Sequence, residues 1–71
     1  MNNLTRQQRE VLKFVKMYAA KNGMPPTRME ISEGFGWKSA NAAQQHLVLI
    51  ERKGYIRLLD KGKARGIAII K

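Results

Sequence analysis

The chain has 71 residues and no cysteine, with fourteen Lys and Arg against five Asp and Glu, a net charge of +9. That length holds one small domain, 1–71, burying only about 60% of the surface its unfolded chain exposes. The lack of thiols excludes disulfide staples and thiolate metal sites. The polar start MNNLTRQQRE does not read as a signal peptide, and no run of about 18 apolar residues is available for a transmembrane helix. The expectation is a cytoplasmic domain with no membrane partner. Positive charge is uneven: residues 51–71 carry seven cations and two acids, net +5, and the other fifty residues carry +4. Density with asymmetry points to a polyanion, nucleic acid before anionic membrane, rather than to a merely solvated surface.

Taken in chain order, Thr5 with Gln8 three residues on is a capping box, and Val11, Phe14, Val15, Tyr18 and Ala19 follow at helical spacing. A helix over about 6–21 is predicted, stopped by Asn22-Gly23 and separated from the next element by Pro25-Pro26, which forbids helix. Thr27 with Glu30 is a second capping box. It opens a short helix over about 28–35 whose apolar residues are Met29, Ile31 and Phe35, ended by Gly34 and Gly36. Ser39 is the third N-cap candidate, before a helix over about 40–53 with Gly54 as its stop. A short helix, a glycine-containing turn and another helix form a helix-turn-helix. Beyond Gly54 the period changes: strands are predicted at about 55–59 and 66–70, joined by a turn at Asp60-Lys61-Gly62-Lys63. Ile56, Leu58, Ile67 and Ile69 are expected to form one apolar face against the helices. The fold class is mainly α with a small β-hairpin, a three-helix winged helix-turn-helix.

At 100° per residue the third helix has two faces. Ala43, His46, Leu47 and Ile50 form the inner seam; Asn41, Gln45, Val48 and Arg52 lie opposite, with Gln44 at their edge. Amides on an outward face suit the DNA major groove, because Asn or Gln can pair bidentately with the N6 and N7 edge of adenine. Ala40 and Ala42 are small enough to let the backbone approach or to meet a thymine methyl, and a helix N-terminus favours phosphate. Low charge fits this role, since base edges are read by hydrogen-bond pattern and phosphates by charge. Taken alone, the same amides also describe an ordinary solvated helix face; the preceding turn and the following basic hairpin tip the reading toward DNA. Around this face stand Arg28, Lys38, Arg52 and Lys53, and on the hairpin turn Lys61, Lys63 and Arg65, each a candidate for salt-dependent phosphate contact or a plain surface cation. Trp37 and Phe35 read as packing at the turn rather than base-stacking groups. His46 reads as a partly buried histidine, since no second His or Cys completes a metal site.

The blocks LTRQQREVLKFV, GMPPTRMEI, FGWKSANAAQQHL, RKGYI and RGIAI together resemble the N-terminal DNA-binding domain of LexA-type repressors of the bacterial SOS response, over Leu4 to about Ile70. The resemblance implies a winged helix-turn-helix whose third helix reads bases with Ser39, Asn41, Ala42, Gln44 and Gln45. It implies phosphate contacts from Arg52, Lys53 and the wing residue Arg65, and a place on the bacterial nucleoid. Three departures stand out. Gln44-Gln45 replaces an acidic pair of better-known members, which changes the base edges these positions suit and lowers the repulsion of phosphate. Ala40 replaces a proline, and the wing turn reads one residue longer than in some members. The family's second domain, with its serine-lysine self-cleaving peptidase, dimer interface and cleavable hinge, has no counterpart in these residues; an excised domain and a stand-alone regulator, of the kind suited to a phage or mobile element, both fit.

The leading expectation is a sequence-specific double-stranded DNA-binding regulator, a repressor acting by occlusion, with paired binding on a two-fold operator and a possible homodimer on DNA. The alternative is a protein-interaction, anti-repressor-like module docking through the outer helix face, which Val48 fits. RNA binding is a third reading, disfavoured by the lack of an exposed aromatic sheet or RG-rich tract. No cofactor, metal or small-molecule ligand is expected, and no set of paired carboxylates, Cys-His or Ser-Lys residues suggests an enzyme.

Overall fold

Thr5 and Gln8 start the first helix. The Thr5 hydroxyl accepts from the Gln8 N–H at 3.2 Å, and the Gln8 side chain accepts from the Thr5 N–H at 3.0 Å. The computed structural model describes residues 3–59 and 66–71, ordered as α1 (Arg6–Asn22), α2 (Arg28–Phe35), α3 (Ala40–Arg52), β1 (Ile56–Leu58) and β2 (Ile67–Ile69). Three helices and an antiparallel hairpin form the winged helix-turn-helix that the sequence predicts. The second capping box is also formed, with bonds of 3.0 Å and 2.8 Å between Thr27 and Glu30. These reciprocal bonds satisfy N–H groups that the first helical turn leaves without a partner.

The core is assembled from one face of each element: Leu4, Val11, Leu12 and Val15, then Ile31, then Ala43, Leu47 and Ile50, then Ile56 and Ile67. Met29, one of the three apolar residues of α2, is exposed. It lies two residues from the fully buried Ile31, about 200° around the helix, so the two cannot share a face. Helices α1 and α2 approach closely at Gly34. A Cβ there would stand 2.5 Å from Cε2 of Phe14, so glycine makes room for the ring.

A column of rings then ties the three helices together. Tyr18 stacks on Phe14 with centroids 6.2 Å apart, Phe14 meets Phe35 at 5.4 Å, Phe35 stacks on Trp37 at 4.7 Å and Trp37 on His46 at 4.8 Å. Spacings of 4.5–7 Å are those aromatic pairs prefer. Phe35 and Trp37 therefore pack at the turn, as expected, and His46 is partly buried beside them.

The hairpin is shorter than predicted, with strands 56–58 and 67–69 in the register Ile56↔Ile69, Arg57↔Ala68, Leu58↔Ile67. Ile56 and Ile67 are buried and Leu58 packs against the core, but Ile69 is exposed, against expectation. β1 is the strand that packs on α3. Glu51 at the end of α3 accepts from the Leu58 N–H at 2.8 Å, joining helix to strand. The predicted turn at Asp60-Lys61-Gly62-Lys63 lies outside the described residues. Among the described residues, no helix is long and apolar enough to cross a membrane.

Candidate nucleic-acid interface

The turn before α3 is built around Ser32 and Gly36. Gly36 is left-handed (φ 75°), a conformation that costs glycine little, and its N–H closes α2 on the Glu33 and Ser32 carbonyls. The Trp37 N–H then donates to the Ser32 carbonyl at 2.8 Å. The Ser32 side chain is fully buried, and its hydroxyl donates to the Ser39 carbonyl at 2.7 Å. One residue thus holds both sides of the turn and sets where α3 begins.

Ser39 occupies the N-cap position in extended geometry, but its hydroxyl makes no cap hydrogen bond. The sequence expectation of a side-chain cap is corrected here. The Ser39 carbonyl accepts from Ser32 and from the Ala42 N–H at 3.2 Å, and Ser32 anchors the turn from the other side. The exposed Ser39 hydroxyl stays at the outer start of α3.

The faces of α3 follow the helical wheel. Ala43, Leu47 and Ile50 are buried; Asn41, Gln45 and Arg52 are exposed; Ala42, Gln44 and Val48 are half-buried. Ser39, Asn41, Ala42, Gln44 and Gln45 therefore come together within the first two turns of one helix. Helix α3 ends at Arg52, one residue before the predicted limit, with Lys53 as its cap.

Beside this face an open groove of about 420 Å³ is lined by Arg28, Ala40, Asn41 and Gln44. Across it the Arg28 Nε donates to the Gln44 side-chain oxygen, linking the first residue of α2 to the second turn of α3. Sequence reasoning missed this pair because it joins positions sixteen residues apart.

The basic candidates divide by position. Lys38 and Arg52 are exposed at the two ends of the α3 region. Lys53 is engaged within the protein: its ammonium donates to the Asn3 carbonyl at 2.8 Å and to the Gln8 side-chain oxygen at 2.7 Å, holding the N-terminal segment to the end of α3. Gln8 is itself buried, so one side chain caps α1 and receives Lys53. No local signal in the sequence points to this link. Lys61, Lys63 and Arg65 lie outside the described residues. Arg57, on β1, is a further exposed cation.

Comparison with known proteins agrees with this fold. Residues 1–66 match the family described as the LexA DNA binding domain. The chain is 50% identical over 68 residues to a LexA repressor of Glaesserella parasuis serovar 5, covering 96% of this chain and 32% of that relative. It is equally similar over 68 residues to a LexA repressor of Actinobacillus pleuropneumoniae serotype 5b, with the same coverage. It is 50% identical over 70 residues to a LexA repressor of Haemophilus influenzae, covering 99% of this chain and 33% of that relative. The chain thus spans about a third of the length of these curated relatives. With its fold, its outward amide face and a match over nearly its whole length, the chain belongs to the LexA DNA-binding domain family.

Proposed function

We propose that this chain is a sequence-specific reader of double-stranded DNA that acts as a transcriptional repressor of the SOS type, occluding promoters through the outer face of α3. The observation that carries this reading is the gathering of Ser39, Asn41, Ala42, Gln44 and Gln45 on the start of one helix whose inner residues Ala43, Leu47 and Ile50 are buried in the core. The amides and the hydroxyl supply donors and acceptors for base edges. Lys38, Arg52 and Arg28, with the hairpin cations Lys61, Lys63 and Arg65, supply sequence-independent attraction to phosphate. Lys53 supports the site by fixing the N-terminal segment and has one remaining donor for phosphate.

A module of this size buries roughly 600–1,000 Å² on DNA, so two copies on a two-fold operator are the arrangement that reaches regulatory affinity. The test is a binding-site selection from random duplexes followed by gel-shift titration. A selected sequence bound at least about tenfold more tightly than bulk DNA supports the reading; binding that is equal on all sequences refutes it.

A further inference from the structure

We infer that Arg28 is a specificity-determining residue: by holding the oxygen of Gln44, it turns that glutamine into a hydrogen-bond donor that reads guanine. The inference rests on the proposed reading of DNA by α3. Arginine has five N–H donors and no acceptor, so the Gln44 atom facing Nε must be the amide oxygen. The planar amide then has its oxygen turned toward α2, and its NH₂ group is the atom left to pair outward. Bidentate pairing with adenine needs both amide atoms aimed at the base, the oxygen toward N6–H₂ and the nitrogen toward N7. The bond to Arg28 occupies one of the oxygen's two lone pairs and ties the amide plane to α2, which opposes the two-point alignment that adenine needs. A lone NH₂ donor suits acceptors, and in the major groove guanine offers two, N7 and O6, where thymine offers O4 alone beside its methyl and adenine N7 beside a competing donor. Cytosine, which presents an N4–H₂ donor there, is the worst match.

The groove supports the same assignment. Arg28, Ala40, Asn41 and Gln44 line it together, so Arg28 stands beside the reading positions rather than on a remote surface. Both Arg28 and Gln44 are half-buried, which limits the freedom of each side chain to swing away. Glutamate at position 44 would keep the link to Arg28 and present a carboxylate oxygen in place of the NH₂. The groove-facing atom would then be an acceptor, matched to the cytosine amine.

The experiment measures fluorescence anisotropy at fixed salt on the selected duplex and on its variants. Gln44→Ala first identifies the base pair whose discrimination is lost, and that pair is then changed to each alternative. The expected result for the native chain is guanine preferred over adenine and over cytosine by about tenfold at that position. Arg28→Ala brings guanine and adenine within about twofold there while discrimination elsewhere is kept; Arg28→Lys, which still donates, restores part of it. Gln44→Glu reverses the preference to cytosine. Circular dichroism melts confirm that each variant is folded. A uniform loss of affinity on all sequences in Arg28→Ala makes Arg28 a phosphate contact only and overturns the inference, as does a native preference for adenine, thymine or cytosine. Failure to select any sequence sinks the parent reading instead, so the two failures are distinct.

Discussion

Two serines on either side of the turn between α2 and α3 have exchanged the roles their positions suggest, and this leads to a crossed prediction. By position, Ser39 is the N-cap of α3, and replacing a capping serine by alanine ordinarily costs about 0.5–2 kcal/mol. Its hydroxyl caps nothing, however, so Ser39→Ala is expected to cost less than about 0.5 kcal/mol, the range of an ordinary surface substitution. Ser32 is unremarkable by position, in the middle of α2. Its hydroxyl is fully buried and bonded at 2.7 Å to the Ser39 carbonyl. Ser32→Ala removes that bond and leaves the carbonyl with the longer 3.2 Å contact from Ala42 alone. The loss is about 1 kcal/mol, more if the carbonyl is cut off from water. A domain of 71 residues has a total stability of about 4–11 kcal/mol, so it stays folded. Its Tm falls by about 4–8 °C per kcal/mol. Calorimetry or thermal melts followed by the fluorescence of Trp37, the chain's one tryptophan, give both numbers. On DNA the order inverts: Ser39→Ala weakens binding to the selected site with little change in Tm. If Ser39→Ala lowers Tm as much as Ser32→Ala does, the assignment of the anchor to Ser32 is wrong.

Leu47 is 1% exposed at the centre of the core, and Leu47→Ala is expected to cost about 2–5 kcal/mol, bringing the domain to the edge of unfolding in a urea titration. Gly34→Ala gains about 1 kcal/mol of helix propensity but drives a Cβ into the Phe14 ring, an overpacking cost of about 1–3 kcal/mol; a net loss is expected, relieved in part by Phe14→Leu in the same chain. Lys53→Ala and Arg52→Ala should separate. The first loses two internal hydrogen bonds and about 1 kcal/mol of stability, while the second leaves the melt unchanged and reduces the salt slope of DNA binding by about 1. Equal melts for these two variants would show that Lys53 is not an internal tie.

The helix starts and faces were legible in the chain because their chemistry is local. Thr5 with Gln8 and Thr27 with Glu30 are bonded at a separation of three residues, and both boxes form as read. The seam of α3 follows from helical period alone, and so do its outward amides. Tertiary structure decided the rest, where a side chain's partner comes from another element. Ser32 reaches Ser39 only because the turn folds back, Arg28 reaches Gln44 only because α2 lies across α3, and Lys53 meets Gln8 from 45 residues away. Ile69 fits an apolar alternation and lies opposite the buried Ile56, yet it is exposed at the end of the sheet while Ile67 on the same strand joins the core. Capping and periodicity are written in neighbouring residues. Which atom of Gln44 faces outward depends on where an arginine from a different helix comes to rest.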